Sequence, residues 1–267
     1  MSARDPGLAF TDGALQFEVW LDKLWDPMGR DVVAAAALKP GEKVLDACCG
    51  TGAATIPAAA AVGATGTVDG VDLSTGLLRL AAAKLSNLGI LNTTLTEADV
   101  TAWRGHRTFD AVLCSYSMFF FADMEAGVEH LASMLRPGGR LVTSTWIDGA
   151  LEPFAGRILD AAITERPRLA GVLPLANQNM ARVASADALA AWLGGRGLVD
   201  VEVTTHPLTL TVDDEMAWNL VMGSGWRTLL PRDPEAIARV RRQFIQSVGP
   251  QVDMNSDALI GVGSVPA

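Results

Sequence analysis

The sequence predicts a doubly wound α/β fold, in which parallel strands alternate with helices, and three stretches carry this prediction. Lys43 to Ala47 is a short apolar run of β-forming residues, followed at once by a glycine turn and an alanine-rich helical stretch. A second strand, Thr67 to Val71, ends on the acidic Asp72. Phe109 to Ser115 is a continuous apolar run, which is typical of a central strand buried on both faces.

Composition and charge exclude several classes of protein. The 267 residues are 49% apolar, enough for a sizeable core, whereas a net charge of -9 argues against a nucleic-acid partner. No apolar stretch reaches transmembrane length and the first residues lack a signal-peptide pattern, so we expect a cytoplasmic protein without a membrane partner. Three cysteines, two of them adjacent, predict free thiols and no metal site. The oligomeric state stays open.

The N-terminal region is mainly helical over residues 14 to 38, with an interruption expected at Pro27 to Gly29. Its apolar residues, including Trp20 and Trp25, fall on helical spacing. Two interpretations remain open. The segment, about residues 8 to 38, either packs on the domain by its apolar face or forms a lid over the active site.

The turn after the first strand has the features of a nucleotide-cofactor site. Gly50 and Gly52 let the backbone approach a ligand closely, and the helix that follows offers unpaired N–H groups. Asp72, twenty residues after Gly52, can accept both hydroxyls of a ribose. An ordinary strand-to-helix connection is the alternative for the glycine turn taken alone.

Two residues indicate which nucleoside binds. The third position of a dinucleotide-binding glycine pattern falls on Thr55, where Gly or Ala is preferred, so an NAD(P)-linked oxidoreductase is the less favoured alternative. Asp46, four residues before Gly50, places a carboxylate where an ammonium group could be held. The pattern D-x-x-x-G-x-G therefore favours a ligand with a cationic amino-acid tail.

The next elements continue the alternation of helix and strand. Ser74 is a plausible N-cap for a helix that ends before Gly89, and a third strand, Thr93 to Glu97, leads into Ala98 and Asp99. The fourth strand is followed by Phe119, Phe120 and Phe121, which cannot all face one core, so an apolar pocket wall is expected there. A helix from Met124 through Leu135 and a fifth strand, Arg140 to Trp146, come next.

The composition changes beyond Trp146, where a proline-containing insertion is expected. A helix at about residues 185 to 193, a sixth strand at 198 to 205 and a last strand at 257 to 264 complete the pattern. Because no linker separates these parts, residues 1 to 267 are predicted to form a single domain. Cap insertions are expected at about residues 148 to 182 and 212 to 250.

Residues 40 to 147 resemble the class I S-adenosylmethionine (SAM) dependent methyltransferases in the glycine turn, the acidic strand end and the run LRPGGRLVTSTW. The resemblance implies a Rossmann-like seven-stranded sheet in the order 3-2-1-4-5-7-6 with strand 7 antiparallel, SAM as cofactor and S-adenosylhomocysteine (SAH) as product. The most similar branch contains the ubiquinone and menaquinone C-methyltransferases and many natural-product methyltransferases. Trp146 stands where quinone-pathway enzymes usually carry glutamate and Cys48 replaces a glycine, so another small, largely apolar acceptor is expected.

The resemblance also implies the positions of the cofactor residues, and the pattern of aromatic residues suggests the acceptor pocket. The cofactor residues are Asp46, Cys48, Gly50, Gly52, Asp72, Leu73, Leu77, Ala98, Asp99, Val100, Cys114 and Ser115. The side chains expected to enclose the acceptor are Trp20, Trp25, Phe119, Phe120, Trp218, Met222 and Trp226.

Methyl transfer requires mainly alignment and a dry pocket, and a general base is needed only for some acceptors. Tyr116 and His206 are the candidate bases, because His106 lies in a loop away from the cofactor and His130 is expected to be solvated. We therefore expect a SAM-dependent methyltransferase acting on an O, N or C atom. A SAM-binding protein of this fold that acts as a cyclase or binding module is the second alternative.

Overall fold

The computed structural model describes residues 6–105, 108–152 and 154–267. From Lys43 to Trp146 strands alternate with helices, as the sequence predicts, except that no helix is described between Thr93–Glu97 and Phe109–Ser115. The strands are β1 (Lys43–Ala47), β2 (Thr67–Asp72), β3 (Thr93–Glu97), β4 (Phe109–Ser115), β5 (Leu135–Trp146), β6 (Val199–His206), β7 (Thr209–Asp213), β8 (Gln251–Asn255) and β9 (Ala258–Ser264). The helices are α1 (Pro6–Asp12), α2 (Ala14–Glu18), α3 (Asp26–Ala36), α4 (Thr55–Val62), α5 (Thr75–Asn87), α6 (Met124–Ser133), α7 (Phe154–Glu165), α8 (Leu175–Ala181), α9 (Ala186–Gly194), α10 (Asp214–Gly223) and α11 (Pro234–Val248).

The main sheet has seven strands in the order β3-β2-β1-β4-β5-β9-β6. Strands β3, β2, β1, β4 and β5 are parallel to one another, and β9 is antiparallel to both β5 and β6. The strand order implied by the resemblance is confirmed, with β9 in the place of strand 7. The carboxyl ends of β1, β2, β4 and β5 consequently meet at one edge of the sheet, called the carboxyl edge below.

Both faces of the sheet are buried because alternate residues of the central strands face opposite hydrophobic clusters. Leu45 and Val112 belong to one cluster, whereas Val44 and Leu113 belong to the other. The large cluster also contains residues of α10 and α11, so the C-terminal helices are part of the same core. In the described ranges, no helix is both long and apolar enough to cross a membrane.

Two helix boundaries differ from the prediction. Residues Leu21–Trp25 form a π-helical turn that leads into α3, so Pro27 lies in the first turn of α3 instead of interrupting a helix. The first turn tolerates proline because its backbone needs no N–H donor there. The helix predicted to run through Leu135 ends at Ser133, and Leu135 already pairs with Phe109 as the first residue of β5.

The sequence did not predict a second, two-stranded sheet formed by β7 and β8. The two strands are antiparallel, and Thr209 pairs with Asn255 across a separation that contains α10 and α11. The segment from the start of β7 to the end of β8 contains the whole of the cap expected at residues 212 to 250. Local periodicity cannot reveal such a pair, because neither short strand is close in sequence to its partner.

The N-terminal helices pack against α10 with backbone in contact with backbone. A Cβ atom added at Gly13 would lie 2.2 Å from the carbonyl oxygen of Met222, and one added at Gly223 would lie 2.3 Å from the nitrogen of Phe17. The indole of Trp20 also donates a hydrogen bond to the carbonyl of Met216 at 3.2 Å. These contacts join the first helices of the chain to the C-terminal cap.

Candidate cofactor site

Asp72 ends β2 and ties two parts of the carboxyl edge together. Asp72 is 9% exposed, and its carboxylate accepts hydrogen bonds from the backbone N–H of Gly50 at 2.8 Å and of Ser74 at 2.7 Å. Burial raises the pKa of Asp72, and these hydrogen bonds oppose the increase. Each carboxylate oxygen retains a free lone-pair direction, so the group can still accept hydrogen bonds from a ligand.

Asp46 is the second buried carboxylate of the site, with 1% of its surface exposed. The hydroxyl of Thr55, in the first turn of α4, donates a hydrogen bond of 2.5 Å to it. Burial raises the pKa of Asp46 to about 7, with a smaller contribution from the negative charge of Asp72 and opposition from the Thr55 hydrogen bond. Among the described residues, no lysine or arginine forms an ion pair with Asp46 or Asp72. The pair of carboxylates would therefore accommodate a cationic ligand.

The turn between β1 and α4 is built from left-handed backbone conformations. Gly50 and Gly52 have φ values of 53° and 88°, and Cys48, which is not glycine, has φ 59°. A left-handed conformation is strained for a residue with a Cβ atom. The Cys48 thiol is half-buried and, since burial raises its pKa well above the usual value, stays protonated.

Four aromatic rings form a continuous row across the carboxyl edge, called the aromatic row below: Phe17, Trp25, Tyr116 and Trp146. Phe17 and Trp25 are stacked, with centroids 4.7 Å apart and an interplanar angle of 4°. Trp25 meets Tyr116 edge-on at 6.2 Å, and Tyr116 lies 4.3 Å from Trp146. The Phe17 end of the row lies over the turn, because a Cβ atom at Gly50 would be 3.8 Å from the Phe17 ring.

Tyr116 is the first residue after β4 and combines two unusual features. Its φ of 51° is left-handed, and its buried hydroxyl has no hydrogen-bond partner among the described residues. Burial, followed by the negative charge of Asp31, raises the pKa of Tyr116 well above its usual value. The hydroxyl is consequently protonated at neutral pH and would act as a hydrogen-bond donor.

The remaining predicted cofactor residues lie along the same edge. Leu73 follows β2 and is 51% exposed, while Leu77 is buried in the first turn of α5 and its N–H donates to Ser74. Ala98, Asp99 and Val100 follow β3, and exposed Asp99 accepts hydrogen bonds from the N–H and hydroxyl of Thr101. Cys114 and Ser115 end β4, and the thiol of Cys114 lies 3.3 Å from the Ser117 hydroxyl.

The structure separates the residues predicted to enclose the acceptor into two groups. Trp20 is 0% exposed, so it packs in the core instead of lining an opening, and Trp218 is buried 6.2 Å from the Phe244 ring. Phe119 is also buried, with its carbonyl held by the side chain of Asn179. The other four are half-buried and pack against the large hydrophobic cluster: Trp25, Phe120, Met222 and Trp226.

The two described histidines have defined partners. His206 ends β6, where its Nδ1 lies 3.2 Å from the carboxylate of Asp31 and its Nε2 lies 3.0 Å from the hydroxyl of Thr204. His130, expected to be solvated, is half-buried, and its Nε2 lies 2.7 Å from the carbonyl oxygen of Trp103. His106 lies outside the described residues.

Sequence reasoning missed three contributors to the site. In the sequence, Thr55 is only a mismatch to the dinucleotide-binding glycine pattern, yet its hydroxyl donates a hydrogen bond to the Asp46 carboxylate. Phe17 falls on the helical spacing of the apolar residues in the N-terminal segment and has no other signal in the sequence, although it lies over Gly50. Thr11 has its hydroxyl 3.0 Å from that of Ser74, so α1 reaches the start of α5. These contacts join distant segments, and no local pattern indicates them.

Comparison with known proteins identifies the family. Residues 44–139 match the model of a methyltransferase domain. The nocamycin O-methyltransferase of Saccharothrix syringae is 31% identical over 231 residues, which cover 79% of this chain and 80% of that protein. The chain belongs to the SAM-dependent methyltransferases. The resemblance inferred from the turn and the acidic strand ends is confirmed, and the dinucleotide-dependent oxidoreductase alternative is set aside.

Further relatives of this methyltransferase support the same family and fold. Aklanonic acid methyltransferase of a Streptomyces species (strain C5) is 37% identical over 134 residues, 49% of this chain, and that match covers 61% of the relative's length. The YcgJ protein of Bacillus subtilis shares the fold, with a TM-score of 0.60 at 14% identity over 90% of this chain and 99% of that one.

The site residues of the methyltransferase fit SAM. The cofactor carries positive charge on its sulfonium and ammonium groups, and Asp46 and Asp72 are buried carboxylates without a basic partner in the described ranges. Asp72 would hold the ribose hydroxyls, the glycine turn would approach the amino-acid tail, and Asp46 would attract the ammonium group. When bound, SAM supplies an electrophilic methyl group.

Binding of SAM should strengthen as the pH rises toward neutrality, because Asp46 ionises near pH 7 and only its ionised form attracts an ammonium group. From pH 6 to pH 7 the ionised fraction grows about fivefold, and the affinity should grow by a similar factor. Calorimetry on the enzyme measures this change. In Asp46→Asn the dependence should flatten, and a variant that keeps the full slope would show that another group is responsible.

Replacing Cys48 by glycine should stabilise the protein by about 0.5–1 kcal/mol, because glycine adopts the left-handed conformation without steric cost. Urea denaturation measures the difference. Cys49→Gly is the matched control, since Cys49 is buried and lacks the positive φ, and this variant should lose stability. A lower denaturation midpoint for Cys48→Gly would mean that packing of the thiol outweighs the strain.

Proposed function

We propose that this enzyme transfers the methyl group of SAM to a small, largely apolar molecule in specialised metabolism. Relatives named for nocamycin and for aklanonic acid support this class of acceptor. The acceptor atom is proposed to be oxygen, nitrogen or carbon. A nucleic-acid partner is not part of the proposal, because the net charge of -9 disfavours binding to phosphate backbones.

The observation that carries the proposal is the apolar surface beside the exit of β4. Phe120 is half-buried there, and its ring meets Phe10 edge-on with centroids 5.7 Å apart. The helical turn Gly225–Leu229 approaches the same ring, since a Cβ atom at Gly225 would lie 2.8 Å from Phe120. Trp226 and Met222 belong to this cap. We propose that Phe120, Met222 and Trp226 enclose the acceptor, as open α/β sheets bind ligands at this edge.

Alignment and exclusion of water are the main contributions of the protein to this reaction. Asp72 and the glycine turn would orient the donor, and the aromatic row would keep water from it. The segment of residues 8 to 38 is proposed as a lid over the cofactor, because Phe17 and Thr11 contact Gly50 and Ser74.

A proton must leave those acceptors that are not already nucleophilic. Tyr116 is a poor base, since its raised pKa keeps it protonated, so it is proposed to donate a hydrogen bond to the acceptor. His206 is the better candidate for accepting the proton. The Asp31 carboxylate, 3.2 Å from Nδ1, would hold the imidazole, and Nε2, which lies 3.0 Å from the Thr204 hydroxyl, would take up the proton.

The proposal is tested by incubating the enzyme with SAM and a library of apolar phenols, enols, amines and carboxylic acids, and by searching for products heavier by one methyl group. Mass spectrometry should find methylated products among the apolar compounds. Asp72→Ala is the negative control. Methylation confined to peptides or nucleic acid would contradict the proposed acceptor class.

A further inference from the structure

We propose that the aromatic row, and Trp25 with Tyr116 in particular, binds the positive charge of the methyl donor and thereby distinguishes SAM from SAH. The row would thus act as a specificity element for the donor. This assigns Trp25 to the cofactor instead of the acceptor, where its place in the N-terminal segment first suggested it.

The position of the row supports this role. It begins with Phe17 over Gly50, in the turn that approaches the amino-acid tail of the cofactor, and it ends at Trp146, the last residue of β5. Tyr116 lies between these points, directly after β4. The row therefore runs along the carboxyl edge from the glycine turn to the end of β5.

The arrangement of the rings suits a cation. Trp25 and Tyr116 meet at an interplanar angle of 67°, so the two rings form a corner in which a cation could contact both. Indole and phenol faces attract cations, and Trp gives the strongest of these interactions. Phe17 stacks on the Trp25 ring at a 4° angle, and the indole N–H donates a hydrogen bond to the Phe17 carbonyl at 3.2 Å, so the indole is held in one orientation.

The charged groups near the row also favour a cationic ligand. Asp46 and Asp72 are buried beneath the turn and no lysine or arginine of the described ranges forms an ion pair with them. A positive ligand would relieve the unfavourable burial of both carboxylates. Loss of the methyl group converts the sulfonium into a neutral thioether, so the attraction to the rings is present before transfer and absent afterwards.

The left-handed backbone of Tyr116 also fits a functional role. Its ring is held 4.3 Å from Trp146 although φ is 51° and the hydroxyl has no described partner. Strained residues persist where the surrounding structure fixes them, and they cluster at ligand sites. A core tyrosine with only a packing role would be expected to satisfy its hydroxyl.

Calorimetry with three ligands tests the inference without any acceptor: SAM, neutral SAH, and sinefungin, in which a protonated amine replaces the methylsulfonium. Trp25→Leu should weaken SAM and sinefungin by about 5- to 30-fold while changing SAH binding by less than about twofold. Trp25→Phe, which keeps a smaller aromatic face, should fall between the wild type and Trp25→Leu. Tyr116→Phe keeps the ring and should leave the ratio of SAM to SAH affinity unchanged, whereas Tyr116→Leu should repeat the selective loss.

Trp192→Leu is the matched control, because this buried tryptophan lies elsewhere, beneath the Arg196 guanidinium, and its loss should leave the ratio of SAM to SAH affinity unchanged. Thermal midpoints verify that each variant is folded. If Trp25→Leu does not fold, the ratio of SAM to SAH affinity in Trp25→Phe tests the inference instead. Equal losses for SAM and SAH in the Trp25 variants, or no loss for either, would overturn the inference. Since the assay uses no acceptor, this outcome is distinct from failure of the proposed function.

Discussion

Asp72→Ala should weaken SAM binding by about 2–4 kcal/mol, because the carboxylate is expected to accept two charge-assisted hydrogen bonds from the ribose. The structure adds a second reason. Asp72 also fixes the backbone N–H groups of Gly50 and Ser74, so its removal leaves both buried donors without a partner and loosens the turn. Calorimetry with SAM measures the loss of affinity, and urea denaturation measures the loss of stability.

Asp233→Ala is the control that distinguishes loss of SAM affinity from loss of stability. Asp233 caps α11 by accepting a hydrogen bond from the N–H of Ala236 at 2.9 Å, away from the carboxyl edge. Its removal should cost about 1 kcal/mol of stability and leave SAM affinity unchanged. If Asp72→Ala bound SAM within about 0.5 kcal/mol of the wild type, the end of β2 would not be the ribose site.

Trp20→Ala should mainly reduce stability, whereas Trp226→Ala should mainly reduce turnover. Trp20 is fully buried and its indole donates to Met216, so truncation should lower the stability by about 3–5 kcal/mol and reduce SAM binding and methyl transfer together. Trp226 is half-buried in the proposed acceptor pocket. Its truncation should reduce turnover while leaving SAM affinity nearly intact, since the acceptor would lose apolar contact and alignment.

Thermal midpoint, SAM affinity and turnover are measured on the same preparation of each variant. Trp218→Ala serves as a further reference for a core residue, because Trp218 packs 6.2 Å from Phe244. A large drop in midpoint for Trp226→Ala, with parallel loss of SAM binding, would assign Trp226 to the core. Unchanged stability in Trp20→Ala would contradict the tight packing around its indole.

The sequence predicts the central βα units because their patterns are local. Lys43–Ala47 and Phe109–Ser115 read as apolar strands, Ser74 caps α5 by accepting the N–H of Leu77, and the buried ends of β1 and β2 each carry an acid. The order of the strands required more than periodicity. It followed from the resemblance of the glycine turn and the LRPGG run to known methyltransferases, and the register of β9 between β5 and β6 agrees with it.

The remaining features depend on contacts between residues far apart in the chain. Phe17 reaches Gly50 and His206 reaches Asp31 across 175 residues, and neither contact leaves a periodic signal. The β7 and β8 pair is separated by two helices for the same reason. The sequence also could not predict the burial of Trp20, because a tryptophan on the apolar face of a helix can pack in a core or line a pocket, and the choice depends on its neighbours in space.

The glycine contacts between α2 and α10 constrain how this chain can diverge. Gly13 and Gly223 each admit no Cβ atom without displacing the opposite backbone, although neither belongs to the cofactor motifs and 210 positions separate them. The first helices and the C-terminal cap therefore pack together as one rigid unit. A side chain at either position would have to push the opposite backbone away, so a substitution at one of them requires a compensating shift of the whole helix that faces it.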